Sequence, residues 1–238
     1  MTMIPNLSDY AAEAGFPLTE AQCMQFDTYA QLLVEWNEKM NLTAITEPEE
    51  IVTKHFVDSL YGIPYIPQNA SLVDVGTGAG FPGVPLKIAR PDISLTLLDS
   101  LNKRLTFLDA VAEALTLTDT ETVHLRAEEG ASHGSFYREE FDVATSRAVA
   151  QLNVLAEYCL PYVKVGGVFL AYKGGDVAEE VKNAKNAIRT LGGDTEDIVP
   201  YTIPGTDITH SLVVIRKMNP TISMYPRQQG RISKKPLV

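Results

Sequence analysis

A chain of 238 residues with 45% apolar content is long enough for one α/β domain with an extension, and it holds no apolar run near a membrane span. Its 30 acidic against 20 basic residues give a formal charge of −10, which excludes a uniformly basic nucleic-acid binder. Cys23 and Cys159 lie far apart among helix-type residues and read as reduced thiols; with no secretory signal, repeat or low-complexity tract, a cytoplasmic protein is expected.

In chain order, the first 65 residues read as helical. Thr19 is placed to cap a helix on which Phe26, Ala30, Leu33 and Met40 share one face, and Thr46 with Glu49 has capping-box spacing for another. Strand and helix then alternate, with strands near 71–75, 94–99, 121–125, 141–146 and 167–173 and helices near 83–89, 102–115, 150–160 and 176–190. Such alternation implies a parallel sheet covered on both faces. The last two strands, about 196–202 and 208–217, follow without a helix between them and predict an antiparallel hairpin that closes the sheet.

The most informative segment is Leu72-Val73-Asp74-Val75-Gly76-Thr77-Gly78-Ala79-Gly80-Phe81-Pro82-Gly83, an apolar strand running into closely spaced glycines. Glycine accepts positive φ and has no Cβ, so a flat ligand can lie against bare backbone. Gly78 to Gly83 satisfies GxGxxG, and Asp99 ends the next strand where a carboxylate can accept both ribose hydroxyls. Asp74, two residues before Gly76, is expected at the pocket mouth, where it would repel a pyrophosphate and attract the cationic groups of S-adenosyl-L-methionine. The Val163 to Tyr172 stretch, with Gly166-Gly167 inside it, fits the fifth strand of a Rossmann-like methyltransferase better than a dehydrogenase. Arg147, directly after the run from Phe141 to Ser146, needs a partner: the cofactor carboxylate, a phosphate, or Asp74. Lys173 at the fifth strand end has a similar position, and a plain surface lysine is an equal reading.

Several further short matches, in order along nearly the whole chain, resemble the bacterial glucose-inhibited division protein B family (RsmG), the 16S ribosomal RNA guanine-N7 methyltransferases. They are Trp36-Asn37 with Asn41-Leu42-Thr43, His55 with Asp58-Ser59, the glycine loop, Leu97-Leu98-Asp99-Ser100 with Lys103-Arg104, Ser146-Arg147-Ala148, Lys173-Gly174, and Tyr225-Pro226-Arg227 leading to Pro236-Leu237. The fold implied is a class I methyltransferase: a mostly parallel seven-stranded sheet with an antiparallel last strand. The layout expected is a helical extension over 1–65, the cofactor-binding domain over 66–217 and a basic tail over 218–238. The resemblance also implies cofactor contacts at Gly76, Phe81, Ala127, Glu128 and Arg147, which join Gly78 and Asp99; strand carboxyl ends are where an open α/β sheet binds its ligand.

Guanine N7 has an exposed lone pair, so its methylation needs no general base and no covalent enzyme intermediate; the site must align three atoms and exclude water. His55, His124, His133 and His210 show no metal-ligand spacing, so no metal is expected and bland roles are assigned to them. The implied partner is 16S ribosomal RNA or the small ribosomal subunit, met by a monomer. Six basic and no acidic residues follow Ser211, leaving −16 on the first 210 residues, so the tail is expected to face RNA, with Tyr225 stacking on a base or Arg227 gripping a phosphate. A small-molecule methyltransferase, a nicotinamide-dependent dehydrogenase and a non-catalytic RNA-binding module are the alternatives.

Overall fold

The computed structural model describes residues 4–147, 150–228 and 230–238; Ala148 of the Ser146-Arg147-Ala148 match lies outside them. Two helices, α1 (Leu7–Glu13) and α2 (Glu20–Met40), come first. Thr19 caps α2 through a full capping box: its Oγ1 accepts from Gln22 N while the Gln22 side chain accepts from Thr19 N. Two backbone donors that a helix start leaves bare are thereby satisfied. Phe26, Ala30 and Leu33 are buried on the inner face, and Met40 on the last turn is half-buried. Asn41, in the left-handed region at φ 49°, ends the helix.

The next helical run joins α3 (Pro48–Glu50), a π-helical segment Ile51–Val57 and α4 (Asp58–Leu60). The Thr46–Glu49 capping box does not form. Pro48 has no N–H to be capped and takes the first helical position, which moves the cap to Glu47 and Glu49 out of register.

The remaining elements are β1 (Ser71–Val75), α5 (Gly83–Ala89), β2 (Ser94–Asp99), α6 (Asn102–Ala114), β3 (Thr120–His124), α7 (Ala127–Gly130), β4 (Phe141–Arg147), α8 (Leu152–Cys159), β5 (Val163–Gly174), α9 (Ala178–Thr190), β6 (Gly193–Thr202), β7 (Thr209–Lys217) and α10 (Arg231–Lys234). They build one seven-stranded sheet in the order β3-β2-β1-β4-β5-β7-β6. Strands β1 to β5 are parallel, and β7 runs antiparallel to both its neighbours. The hairpin therefore does not add two strands outward: its second strand slots between β5 and β6. Burial dictates this order. Leu212, Val213, Val214 and Ile215 of β7 are fully buried, as a central strand must be, whereas β6 carries Asp194, Glu196, Asp197 and Pro200, residues suited to an edge.

Side chains alternate between two core layers. Leu72, Leu95, Leu97, Val143, Leu170, Leu212 and Val214 pack against α2, the π-helical run, α5 and α6, so the N-terminal helices share the sheet's own core. Val73, Leu98, Ala144, Phe169, Ala171, Val213 and Ile215 face the other way, with α8 and α9. Cys23 and Cys159 are free thiols.

Candidate cofactor and acceptor site

A cavity of about 1160 Å³ opens at the carboxyl ends of the strands, and Gly76, Gly78, Phe81, Asp99, Ala127, Glu128 and Arg147 all line it. Its first half is backbone. Gly76 N and Thr77 N donate to Leu98 O at 2.8 and 3.1 Å, fixing the turn out of β1 against β2. Gly78 sits at φ 62°, and a Cβ built there would meet only Gly76 O, at 4.0 Å. The loop is thus a bare cradle beneath open space. Beside it, the buried Asp99 carboxylate accepts from Gly78 N at 3.0 Å, Leu101 N at 2.9 Å and Arg104 Nη1 at 3.1 Å. A carboxylate has room for about four such bonds, so an acceptor site remains for a ribose hydroxyl, and the half-exposed Arg104 is the contact a ligand would displace. Ala127 and Glu128 open α7 across the cavity, and Tyr162 fixes that turn by donating to Ala127 O at 2.7 Å.

Asp74 is not at the cavity mouth. It is wholly buried under the loop, where Oδ2 accepts from Thr77 Oγ1 at 2.7 Å and Gly83 N at 3.0 Å, while Oδ1 has no hydrogen-bond partner among the described residues. Burial pushes its pKa up to about 6. Asp74 braces the loop, and the acidic groups that line the cavity are Asp58, Asp99 and Glu128 instead.

The second half of the cavity centres on Arg147, whose carboxylate partner within the chain is Asp58 and not the expected Asp74. Its Nη1 donates to Asp58 Oδ2 at 2.8 Å and to the carbonyls of Lys54 and His55 at 3.1 and 3.3 Å; Nη2 donates to His55 Nδ1 at 3.2 Å. The π-helical turn loosens the regular backbone ladder, and the guanidinium takes up carbonyls there. Arg147 also lies 5.0 Å over the Phe81 ring, on which His55 stacks at 4.2 Å. Burial, then the Arg147 charge, lowers the His55 pKa to about 3. The ring is neutral, accepts from Arg147 at Nδ1, and so donates from Nε2 to Thr43 Oγ1 at 3.0 Å. Burial opposes ionisation of Asp58, but the His210 hydrogen bond and Arg147 outweigh it and lower its pKa.

Lys54, His55, Asp58, Lys173 and His210 all reach this half of the cavity. His55 and Asp58 stood in the short matches, but their role there was not legible; for His210 only the continuous apolar run Leu212 to Ile215 after it marked a strand. Lys173 is no free surface lysine: it donates to Ala150 O at 2.8 Å and pairs with Glu180 at 2.7 Å.

The tail is docked, which corrects the expected RNA contacts at Tyr225 and Arg227. Tyr225 is buried, and Arg138 donates to its carbonyl at 2.7 Å. Arg227 grips the fully buried Glu157 with Nε at 2.9 Å, Nη2 at 2.5 Å and its own backbone N at 2.7 Å. An acid buried on the apolar α8 requires such a partner. Docking brings Gly230 and Ser233 to the cavity wall and leaves Arg231, Lys234 and Lys235 exposed beside it.

This strand order with one reversed strand, and a glycine cradle with a carboxylate at the strand ends, define a class I methyltransferase. The family model described as GidB, rRNA small subunit methyltransferase G, matches residues 22–205, and the chain belongs to that family. It is 53% identical over 233 residues to the "Ribosomal RNA small subunit methyltransferase G" of Alkaliphilus metalliredigens, covering 97% of each chain. Identity to the protein of the same name from Acetivibrio thermocellus is 50% over 232 residues, covering 97% of this chain and 95% of that one. Among solved structures, a 16S rRNA (adenine(1408)-N(1))-methyltransferase from Catenulisporales acidiphilia superposes with a TM-score of 0.51 at 16% identity, covering 68% of this chain and 91% of that one; the likeness is one of fold.

Proposed function

We propose that the protein transfers a methyl group from S-adenosyl-L-methionine to N7 of a guanine in 16S ribosomal RNA of the small subunit, acting as a cytoplasmic monomer. One observation carries the reading: a single cavity joins a nucleotide cradle at Gly76, Gly78 and Asp99 to a second compartment around Arg147, Asp58 and His210, large enough for a second reactant. Membership of the family speaks for ribosomal RNA over a small-molecule acceptor or a nicotinamide cofactor.

The residues present fit the cofactor. Asp99 has acceptor capacity for the ribose hydroxyls, the Gly78 backbone leaves space for a flat ligand, and Ala127 with Glu128 would face the adenine. When bound, the cofactor supplies an electrophilic methyl group. The guanine lone pair needs no base, so the chain's task is positioning: Phe81, with His55 stacked on its ring and Arg147 beside that histidine, forms an apolar floor that excludes water. Arg147 is spent on Asp58 and on backbone carbonyls, and it holds the π-helical run against the strand ends. The exposed Arg231, Lys234 and Lys235 beside the cavity offer phosphate contacts on an otherwise acidic molecule.

The test is to incubate the protein and labelled cofactor with small subunits from a strain lacking the corresponding gene, and then map the label. Label at a guanine N7 is expected; label on another base, or none, would overturn the reading.

A further inference from the structure

On that reading of the cavity, we propose that His210 selects guanine: its Nε2 accepts a hydrogen bond from the base N1–H, with Asp58 as the residue that positions the ring.

The placement follows from the reversed strand. Because β7 runs against its neighbours, its amino end lies beside the carboxyl end of β5, with His210 directly opposite Gly174. His210 therefore joins the strand ends that form the cavity. It does so on the side away from the glycine cradle, separated from β1 by β4 and β5. A nucleotide cofactor fills the β1–β2–β3 side, and the β4–β5–β7 side is left for the base.

Orientation is fixed by Asp58. This carboxylate is 1% exposed, and three groups converge on it at 2.8 Å each: Arg147 Nη1 on Oδ2, and Tyr201 OH with His210 Nδ1 on Oδ1. Its lowered pKa keeps it ionised, and an ionised carboxylate only accepts, so His210 carries a proton on Nδ1. In the neutral ring the lone pair is then on Nε2. Among the described residues nothing hydrogen-bonds Nε2, and the side chain is 26% exposed at the cavity. Across the strand pair, a Cβ built at Gly174 would lie 3.9 Å from Nε2, an ordinary contact distance.

The chemistry discriminates. Guanine offers N1–H as a donor, whereas adenine has a bare acceptor at N1, so a fixed Nε2 lone pair attracts one and repels the other. Methylation at N7 also makes the base cationic, which strengthens N1–H as a donor. The contact therefore grows as the methyl group transfers, and it contributes to kcat more than to KM.

The experiment compares small subunits carrying guanine with subunits carrying 2,6-diaminopurine at the mapped nucleotide; the analogue keeps N7 but lacks N1–H. Wild-type protein should prefer guanine. His210→Leu should lose about tenfold or more in kcat/KM on guanine, mostly in kcat, and lose the preference by the same factor. His210→Gln, whose amide oxygen can accept the same bond, should recover most of both. Cofactor affinity by calorimetry should stay at the wild-type value in both variants. An undiminished preference for guanine in His210→Leu, with wild-type protein active, overturns the role of His210 alone. Wild-type protein that labels no guanine overturns the functional reading itself.

Discussion

Replacing Arg227 with alanine separates a docked tail from an RNA-gripping one. Glu157 is fully buried, and its carboxylate is met by Arg227 Nε at 2.9 Å, Nη2 at 2.5 Å and the backbone N at 2.7 Å. Alanine keeps only the backbone donor. Breaking a buried pair from one side costs about 3–5 kcal/mol, and the surviving N–H places this case near the lower end, about 3 kcal/mol. Loss of the Nη1 bond to Lys235 O, now 2.8 Å, adds roughly 1 kcal/mol. Release of the tail, which lets water reach Glu157, sets the upper limit on what the fold can lose. For a chain of this size the resulting loss of about 4 kcal/mol corresponds to a Tm lower by roughly 8–16 °C. Because Gly230 and Ser233 form part of the cavity wall, cofactor affinity should fall with it. The assays are a thermal melt, amide exchange over residues 220–238 and a cofactor titration. Replacing both partners with apolar residues, Glu157→Leu with Arg227→Met, should recover most of the stability. An Arg227→Ala protein with wild-type Tm and cofactor affinity but lost RNA methylation would refute the docking argument and return Arg227 to the RNA.

Three further outcomes are expected. Gly76→Val places a β-branched residue at φ 71°, next to the cradle, so the sheet should fold while cofactor binding by calorimetry is lost; wild-type affinity in a folded variant would displace the site. Asp99→Ala removes the acceptor for the ribose hydroxyls and should weaken cofactor affinity about tenfold or more, the equivalent of roughly 1–3 kcal/mol for unpaired buried donors; an unchanged titration would make Asp99 a loop brace only. Asp74 has a folded pKa of about 6 against 3.8, so the native state holds a proton that the unfolded chain releases, and stability from this group falls as pH rises between those values. Asp74→Asn should therefore gain on the wild type across that window by up to roughly 3 kcal/mol in denaturant titrations, and parallel pH profiles would refute it. His55 acts in the opposite sense, losing stability as pH falls from 6.5 towards 3, so the comparison must be made between variants at each pH.

By itself the sequence determined what a few neighbouring residues can encode. The strand–helix alternation, the Thr19 cap, the glycine turn that only positive φ permits and the carboxylate ending β2 are local periodicities and backbone preferences, legible without a partner. Tertiary structure decided which distant groups meet. Asp58 joins Arg147 across 89 residues and His210 across 152, Arg227 finds Glu157 across 70, and β7 enters the sheet between β5 and β6. A lone charge in a sequence carries no record of its partner; that partner is chosen when packing removes water and brings these donors to the buried carboxylates of Asp58 and Glu157. The same burial took Asp74 away from the cavity and beneath the loop, because its strand position points its side chain into the core rather than towards solvent.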